Sequence, residues 1–293
     1  MMATSDIGFI TMAFGDQRYI DQAVSLARSA KLYMPGNKFA LVTDRSEPVP
    51  VFDQQIKMDD FSLAGTVLKT KIYEYSPFEE TLFIDSDSLV TRDFSPELAE
   101  IRPWDFTPVV NDFRAPGGTD PWLKDVGEAL RKVGGRSFPS FNGGVYFFRK
   151  SELAARVFAG GEEMLERQDE LGILDFDKAG PGEETLLGLS MSRLGHEDFY
   201  PDHEGRFMRT PLNATSPIHF EVLDGECRFE KKHKWVEPAI VHFCGPWNKH
   251  PSYLIAVKEL ERGQKLSTIE RASIIAQSKA RKLKQKVENK LRR

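Results

Sequence analysis

Residues 81–90 have the sequence TLFIDSDSLV, in which an apolar run is followed by two aspartates. Residues 81–84 are mostly apolar and of strand length, which predicts a buried strand. Asp85 and Asp87 follow where that strand ends, and open α/β sheets bind ligands outside the carboxyl ends of their strands. Carboxylates at this spacing can converge on one hard divalent cation, so the stretch predicts a metal site. Two acids that merely solvate the end of a strand are the alternative.

The residues before this stretch predict a βαβ unit. Residues 7–14 (IGFITMAF) and 39–43 (FALVT) are short apolar runs, which indicate buried strands. Asp16 precedes a run with helical spacing and is predicted to cap that helix. Two strands joined by a helix predict an α/β fold with a mainly parallel sheet and helices on its faces. The apolar residues with helical spacing are Ile20, Ala23, Val24 and Ala27.

Further elements follow the metal-site stretch. The Pro-, Gly- and aromatic-rich residues 93–140 are predicted to be mainly loops with one short helix near 123–133. Strands are predicted at 141–148 and 239–243, and helices at 63–75, from 149 to about 168, at 183–192, and from about 251 to the end.

Composition limits the function. The chain has 293 residues, of which 40% are hydrophobic and 29% charged, as in soluble globular proteins. Its net charge of −4 argues against a nucleic-acid partner. Two cysteines suit a reducing compartment, and neither a signal peptide nor an 18-residue apolar run is visible, so we expect a cytoplasmic protein.

The charge is unevenly distributed. Residues 279–293 carry eight basic side chains and one acidic, a local net charge of +7. A basic amphipathic helix can lie on an anionic membrane surface, so a peripheral membrane position is one interpretation. A solvated or frayed terminal helix is the alternative. Apolar residues spaced 3 or 4 apart form a narrow stripe along this part of the chain: Ile269, Ala272, Ala276, Ala280, Leu283, Val287 and Leu291.

A histidine also stands at the end of an apolar strand. His242 follows residues 239–241, and imidazole is an acceptable ligand for manganese-like metals. Gly245 permits close backbone approach to a ligand, and Lys249 offers a point charge for phosphate. A hydrogen-bonded core histidine is the alternative.

Two more segments carry candidate polar groups. Asn142 offers the donor and acceptor that sugar hydroxyls require, and two glycines beside it leave room for a ring. A strand entered through a turn explains the same residues. Glu183 and Glu184 begin a helix after a Pro-Gly turn. Acids in a first helical turn favourably offset the helix dipole, which explains them without a ligand. The functional alternative is a carboxylate that faces a sugar.

Together these motifs resemble the GT-A glycosyltransferases of family 8, which include glycogenin and bacterial lipopolysaccharide galactosyl- and glucosyltransferases. The resemblance covers roughly residues 6–253. It matches four family elements in order: Thr11 with Tyr19–Ala23, Asp85-Ser86-Asp87, Asn142-Gly143-Gly144-Val145 and His242-Phe243-Cys244-Gly245. The family's Asp-Gln pair appears here as Glu183-Glu184, and its Gly-x-x-Lys-Pro element as Gly245 with Lys249.

The resemblance implies roles for individual residues. Asp85, Asp87 and His242 would hold Mn²⁺ or Mg²⁺, and Glu183, Glu184 and Asn142 would be catalytic. The family's basic residue before the Asp-x-Asp strand could be Lys69 or Lys71 in this chain. We expect Lys71 to be the one that contacts the nucleotide sugar. The set expected to contact the nucleotide sugar is Thr11, Tyr19, Asp44, Lys71, Ser86, Gly245 and Lys249.

The implied organisation is a GT-A domain over residues 1–255, with about 1–110 binding the nucleotide sugar and about 111–255 facing the acceptor. Residues 256–293 would form a helical basic tail. The implied activity is metal-dependent transfer of a hexose from a nucleotide-diphosphate sugar, expected to be a UDP-sugar, with retention of configuration. The acceptor would be a hydroxyl of a glycan, a lipid-linked saccharide or a protein. A catalytically inactive GT-A domain that binds nucleotides or glycans is the alternative function.

Overall fold

The structure is a computed structural model that describes residues 6–59, 63, 65–176, 180–202 and 204–291, with the side chains of 110–113 and 282–291 outside the description. The strands are β1 Ile7–Met12, β2 Phe39–Thr43, β3 Gln54–Lys57, β4 Glu80–Ile84, β5 Ser88–Val90, β6 Phe106–Arg114, β7 Phe138–Arg149, β8 Met208–Arg209, β9 His219–Glu221, β10 Glu226–Lys231, β11 Lys234–Val236 and β12 Ile240–His242. The α-helices are α1 Gln17–Tyr33, α2 Ile72–Tyr75, α3 Ser95–Ile101, α4 Val126–Val133, α5 Glu152–Glu166, α6 Gln168–Leu171, α7 Glu183–Leu194, α8 Pro251–Arg262 and α9 Thr268–Leu291, with 3₁₀ helices at Gly65–Lys71 and Gly245–Lys249.

A six-stranded sheet has the order β3-β2-β1-β4-β7-β6. The pairs β3–β2, β2–β1 and β1–β4 are parallel, whereas β7 runs antiparallel to both β4 and β6. This confirms the predicted α/β class with a mixed, mainly parallel sheet. The carboxyl ends of β1, β2 and β4 therefore meet at one edge, which is where such sheets place their ligands.

Apolar residues on both faces explain why these strands form the interior. Every residue of β1 and β2 is buried, as expected for strands with helices or loops on each side. Ile10 and Phe83 project toward one face, where they pack in a single apolar cluster with Ile72, Phe158 and Leu187. The layer over that face thus consists of α2, α5 and α7. On the other face Phe9 and Phe39 meet edge to face.

Helix starts follow local chemistry where the sequence predicted it. Asp16 accepts a hydrogen bond from the backbone N–H of Arg18 (2.9 Å), so the predicted cap of α1 is confirmed. The helix predicted over residues 63–75 is shorter and tighter in the described part: a 3₁₀ helix at Gly65–Lys71 precedes α2.

The prediction of mainly loops for residues 93–140 was wrong, because α3 and β6 both lie there. Pro96 stands in the first turn of α3, where a missing N–H costs nothing. Pro108 lies in β6, an edge strand with register shifts at Pro108 and Val110, and edge strands tolerate proline. These two prolines made the sequence resemble loops, but the fold accommodates one in a helix and the other in an edge strand.

The chain divides into two compact units. The described parts of Met1–Ala23, Gly36–Ser86 and Ser95–His203 form the first, and those of Val24–Pro35, Asp87–Phe94 and Glu204–Arg293 form the second. The second unit contains two three-stranded sheets, β5-β12-β8 and β11-β10-β9. The division at residue 255 predicted from sequence stays a prediction. None of the described helices is long and apolar enough to span a bilayer.

Helix α9 is fastened to the second unit by one face. Arg271 contacts both carboxylate oxygens of Glu221 (2.6 Å each) and Oε1 of the buried Glu259 (2.6 Å). Ile274 packs with Ile255 and Leu266. These contacts hold the first turns of the helix. The predicted stripe positions Leu283, Val287 and Leu291 fall where the structure describes no side chains.

Candidate functional site

Asp85, Asp87 and His242 lie together. Each offers one ligand atom, and the three atoms lie within 4.8 Å of one another. β4 ends directly before Asp85, and β12 pairs antiparallel with β5 so that His242 stands opposite Ser88. The pairing extends one residue beyond the two strands, because the N–H of Phe243 donates to the carbonyl oxygen of Asp87 (3.0 Å). Strand pairing therefore brings together residues that are 155 positions apart.

The donor set fits a divalent cation. Oδ1 of Asp87 lies 2.9 Å from Nε2 of His242, yet this buried oxygen has no hydrogen-bond partner among the described residues. A buried, unsatisfied carboxylate oxygen is costly unless something else coordinates it. Two carboxylates and an imidazole suit Mn²⁺ or Mg²⁺ better than a soft metal.

A buried lysine joins Asp85 to Glu183. Nζ of Lys69 lies 2.7 Å from Oδ2 of Asp85 and 3.0 Å from Oε1 of Glu183. Burial lowers the pKa of Lys69, but Asp85 and Glu183 raise it more, so it stands well above the ordinary lysine value. Both carboxylates therefore favour the charged form of the ammonium group. Burial raises the pKa of Glu183, and the charge of Lys69 opposes that rise.

The two candidate lysines have different partners. Lys69 reaches Asp85, whereas Lys71 forms ion pairs with Glu162 of α5 and with Glu74. Both lysines stand on the 3₁₀ helix, whose three residues per turn put positions 69 and 71 on different faces. Lys69 is therefore the lysine that contacts the Asp-x-Asp carboxylate, whereas the contact of Lys71 with a nucleotide sugar stays a prediction.

Glu184 and Asn142 lie at the junction of α7 and β7. Oε1 of Glu184 accepts a hydrogen bond from the N–H of Gly143 (2.5 Å). A Cβ on Gly143 would stand 2.2 Å from Oε1 of Glu183, so a larger residue here would require the paired Glu183 side chain to move. Asn142 turns its Oδ1 to the N–H of Gly144 (3.2 Å).

Tyr146 is a site neighbour that the sequence analysis missed. It is fully buried, stacks on Phe83 with ring centroids 4.5 Å apart, and its hydroxyl has no hydrogen-bond partner among the described residues. Burial raises its pKa well above the ordinary value, and the charge of Glu183 adds to the rise. A tyrosine within the aromatic run of β7 carries no sequence signal that separates it from core packing.

The residues predicted to contact a nucleotide have diverse surroundings. Thr11 is buried in β1, and the hydroxyl oxygen has no partner among the described residues. Tyr19 is 38% exposed and receives a hydrogen bond from Arg18 (2.8 Å). Asp44, after β2, accepts from the N–H of Gly15, after β1 (2.9 Å). These two strand ends are thereby tied together.

The rest of that predicted set lies in the two metal-ligand motifs. Ser86 is buried, and its N–H donates to Oδ1 of Asp85 (2.9 Å). Gly245 has a φ of 58°, the left-handed region that glycine favours, and open space where a side chain would be. Lys249 is exposed at the end of a 3₁₀ helix. Gly245 and Lys249 are thus accessible to a ligand, whereas Ser86 is buried.

Solved structures share this fold. Two crystal structures of LgtC match with a TM-score of 0.53 and 16% identity, covering 91% of this chain and 99% of theirs. One is an active-site glutamine-to-glutamate mutant, and the other is the galactosyltransferase in complex with donor and acceptor sugar analogs. The apo structure of the bifunctional glycosyltransferase WbbM matches with a TM-score of 0.53 and 13% identity, covering 90% of this chain and 52% of that one.

No family model matches the chain, and no curated protein does. The likeness to LgtC and WbbM therefore establishes the fold alone, and it confirms the predicted GT-A architecture.

The close contact at Gly143 makes a testable prediction. Gly143→Ala forces Glu183 away from its place and disturbs the pair with Lys69, so we expect a loss of about 1–3 kcal/mol in unfolding free energy. Thermal or urea unfolding measures it. Gly182→Ala is the matched control, because the nearest described atoms to its Cβ would belong to Phe176, at 3.7 Å or more, and the change should cost less than about 1 kcal/mol. Equal losses in the two variants would contradict the assigned contact.

Proposed function

We propose that this protein is a metal-dependent glycosyltransferase that moves a hexose from a nucleotide-diphosphate sugar, a UDP-sugar in the first instance, to an acceptor hydroxyl. The observation that carries the proposal is the cluster of Asp85, Asp87 and His242 beside the Lys69–Glu183 ion pair, at a sheet edge suited to ligands. The fold supports it, since LgtC is a galactosyltransferase solved with donor and acceptor sugar analogs.

Asp85, Asp87 and His242 would hold Mn²⁺ or Mg²⁺. A bound divalent ion would supply Lewis-acid stabilisation for the negative charge that develops on the leaving diphosphate. Lys249 offers a second positive charge to the same phosphates. Thr11 lies near the end of β1, Tyr19 in the first turn of α1, and Asp44 directly after β2. These three residues are the proposed contacts to the nucleoside.

The two glutamates have different proposed tasks. Glu183 is paired with Lys69, which also contacts Asp85, and we propose that it orients the hydroxyls of the donor sugar, with Asn142 nearby. The N–H of Gly143 fixes one oxygen of Glu184, and Glu184 also lines a cleft in the first compact unit. It is therefore the carboxylate proposed to stabilise positive charge on the sugar ring.

Retention of configuration is the proposed stereochemical outcome. The acceptor hydroxyl would pass its proton to the leaving phosphate, so no dedicated base is required. LgtC has an active-site glutamine that was changed to glutamate in one solved mutant, whereas this chain has Glu184 where the family resemblance places a glutamine. A native carboxylate is consistent with charge stabilisation from the same side of the ring.

The metal assignment is tested by Asp87→Asn. We expect turnover of UDP-glucose or UDP-galactose to fall about 100-fold or more, because a neutral amide is a poorer ligand for a hard cation. Asp198→Asn is the control, since Asp198 is exposed and remote in sequence from the cluster. The readout is UDP release with and without Mn²⁺.

Two results would count against this proposal. Equal turnover in Asp87→Asn and wild type would remove the metal assignment. A thermal shift by UDP-sugar and Mn²⁺ without any turnover would favour the alternative, a nucleotide- or glycan-binding module.

We further propose that α9 lies on an anionic membrane surface and brings the site to a lipid-linked acceptor. Arg271, Ile274 and Ser278 fasten one face of the helix, with Ser278 donating to the carbonyl oxygen of Lys249 (3.5 Å). At about 100° per residue, the stripe positions project roughly opposite to that face. The described members of the stripe are exposed: Ile269 (82%), Ala272, Ala276 and Ala280.

Adjacent residues on α9 test the membrane proposal. Ala276→Glu places a charge on the stripe, whereas Gln277→Glu makes a comparable change in charge one position away on a different face. We expect Ala276→Glu to weaken sedimentation with vesicles of phosphatidylglycerol and phosphatidylcholine several-fold more than the control. Added salt should weaken the wild type as well. Equal effects, or no binding to anionic vesicles, would contradict the membrane position.

A further inference from the structure

A cleft opens beside Glu184 within the first compact unit. Its empty volume is about 470 Å³ including the open mouth. β6, β7 and the first turn of α7 form its walls, together with the segment that follows β6. The polar groups on its walls include Arg114, Asp120 and Glu184, and the aromatic groups include Trp122, Phe138 and Phe141.

These walls suit a sugar ring. A pyranoside has an apolar C–H face and hydroxyl groups around its edge, so it needs a flat apolar surface beside a few hydrogen-bonding groups. Trp122 provides such a surface, Asp120 accepts from hydroxyls, and Arg114 donates to them. The charged side chains among the described lining residues are one guanidinium and two carboxylates. This balance favours a neutral saccharide over an anionic one.

The aromatic wall is held in place before any ligand binds. Oδ1 of Asp120 accepts from the N–H of Trp122 (2.9 Å), and the N–H of Leu174 donates to the carbonyl oxygen of Trp122 (2.9 Å). The ring of Phe176 meets Trp122 edge to face, with centroids 5.0 Å apart. A surface fixed in this way loses little conformational entropy on binding.

A series of contacts links the cleft to the metal-ligand Asp85. Glu184 accepts a hydrogen bond from the N–H of Gly143, and Gly143 also lies against Glu183. Glu183 pairs with Lys69, which in turn pairs with Asp85. Glu184 is thus the one member of this series that also lines the cleft. A sugar bound in the cleft would therefore lie beside Glu184, the carboxylate proposed to act on the donor sugar.

We propose that this cleft binds the acceptor as a neutral hexopyranoside, with its ring on Trp122 and its hydroxyls on Asp120 and Arg114. The assignment of this sugar as the acceptor rests on the proposed function, whereas saccharide binding itself does not. The nucleophile would be one of its hydroxyls, which replaces UDP at the sugar carbon and gives its proton to the leaving phosphate.

Saturation-transfer NMR with methyl glycosides of glucose, galactose and mannose tests the cleft directly. We expect at least one glycoside to bind the wild type and Trp122→Ala to weaken it roughly tenfold, because the apolar surface is lost. Trp235→Ala is the matched control, since Trp235 is 55% exposed on β11 in the second unit. Binding by none of the glycosides, or equal effects of the two variants, would overturn the proposal.

A second variant tests the cleft even if Trp122→Ala does not fold. An asparagine at position 120 can still accept from the N–H of Trp122, so Asp120→Asn should keep the loop while weakening saccharide binding several-fold. Unchanged binding in a folded Asp120→Asn would also count against the cleft. The proposed function is tested separately by the thermal shift with UDP and Mn²⁺, so saccharide binding without that shift would retain the cleft and reject the transferase.

Discussion

The ammonium group of Lys69 lies between the carboxylates of Asp85 and Glu183, at 2.7 and 3.0 Å. Two carboxylates this close in a poorly solvated place would repel, and one would take up a proton. The lysine removes that repulsion, and its own burial is tolerated only because both partners are present. This ion pair fixes the first metal-ligand carboxylate relative to the start of α7. The positions of Glu183, Glu184 and Gly143 depend on it.

Much of the fold follows from the sequence. Residues 39–43 form the predicted strand β2, and β1, β4, β7 and β12 lie within a few residues of the predicted ranges. Wholly apolar runs of this length have few alternatives, and Asp-x-Asp after such a run marks the ligand edge of the sheet. His242 is harder to predict, because only the pairing of β12 with β5 brings it to Asp87.

The remaining features could not be predicted for physical reasons. Whether Lys69 or Lys71 faces the site depends on the rotation of a short 3₁₀ helix, which periodicity does not determine. β6 contains Pro108 and is an edge strand, so its residues resemble a loop in sequence. The cleft beside Glu184 combines residues from β6, β7 and α7 with a loop, and no local pattern links Arg114 to Trp122 or Glu184.

The central claim is that Asp85, Asp87 and His242 form one binding site for a divalent ion. Anomalous diffraction from crystals grown with Mn²⁺ and UDP tests it most directly. We predict one strong manganese peak about 2 Å from a carboxylate oxygen of each aspartate and from Nε2 of His242, beside the UDP phosphates. No peak at this position, or a manganese site held by other residues with UDP bound elsewhere, would contradict it.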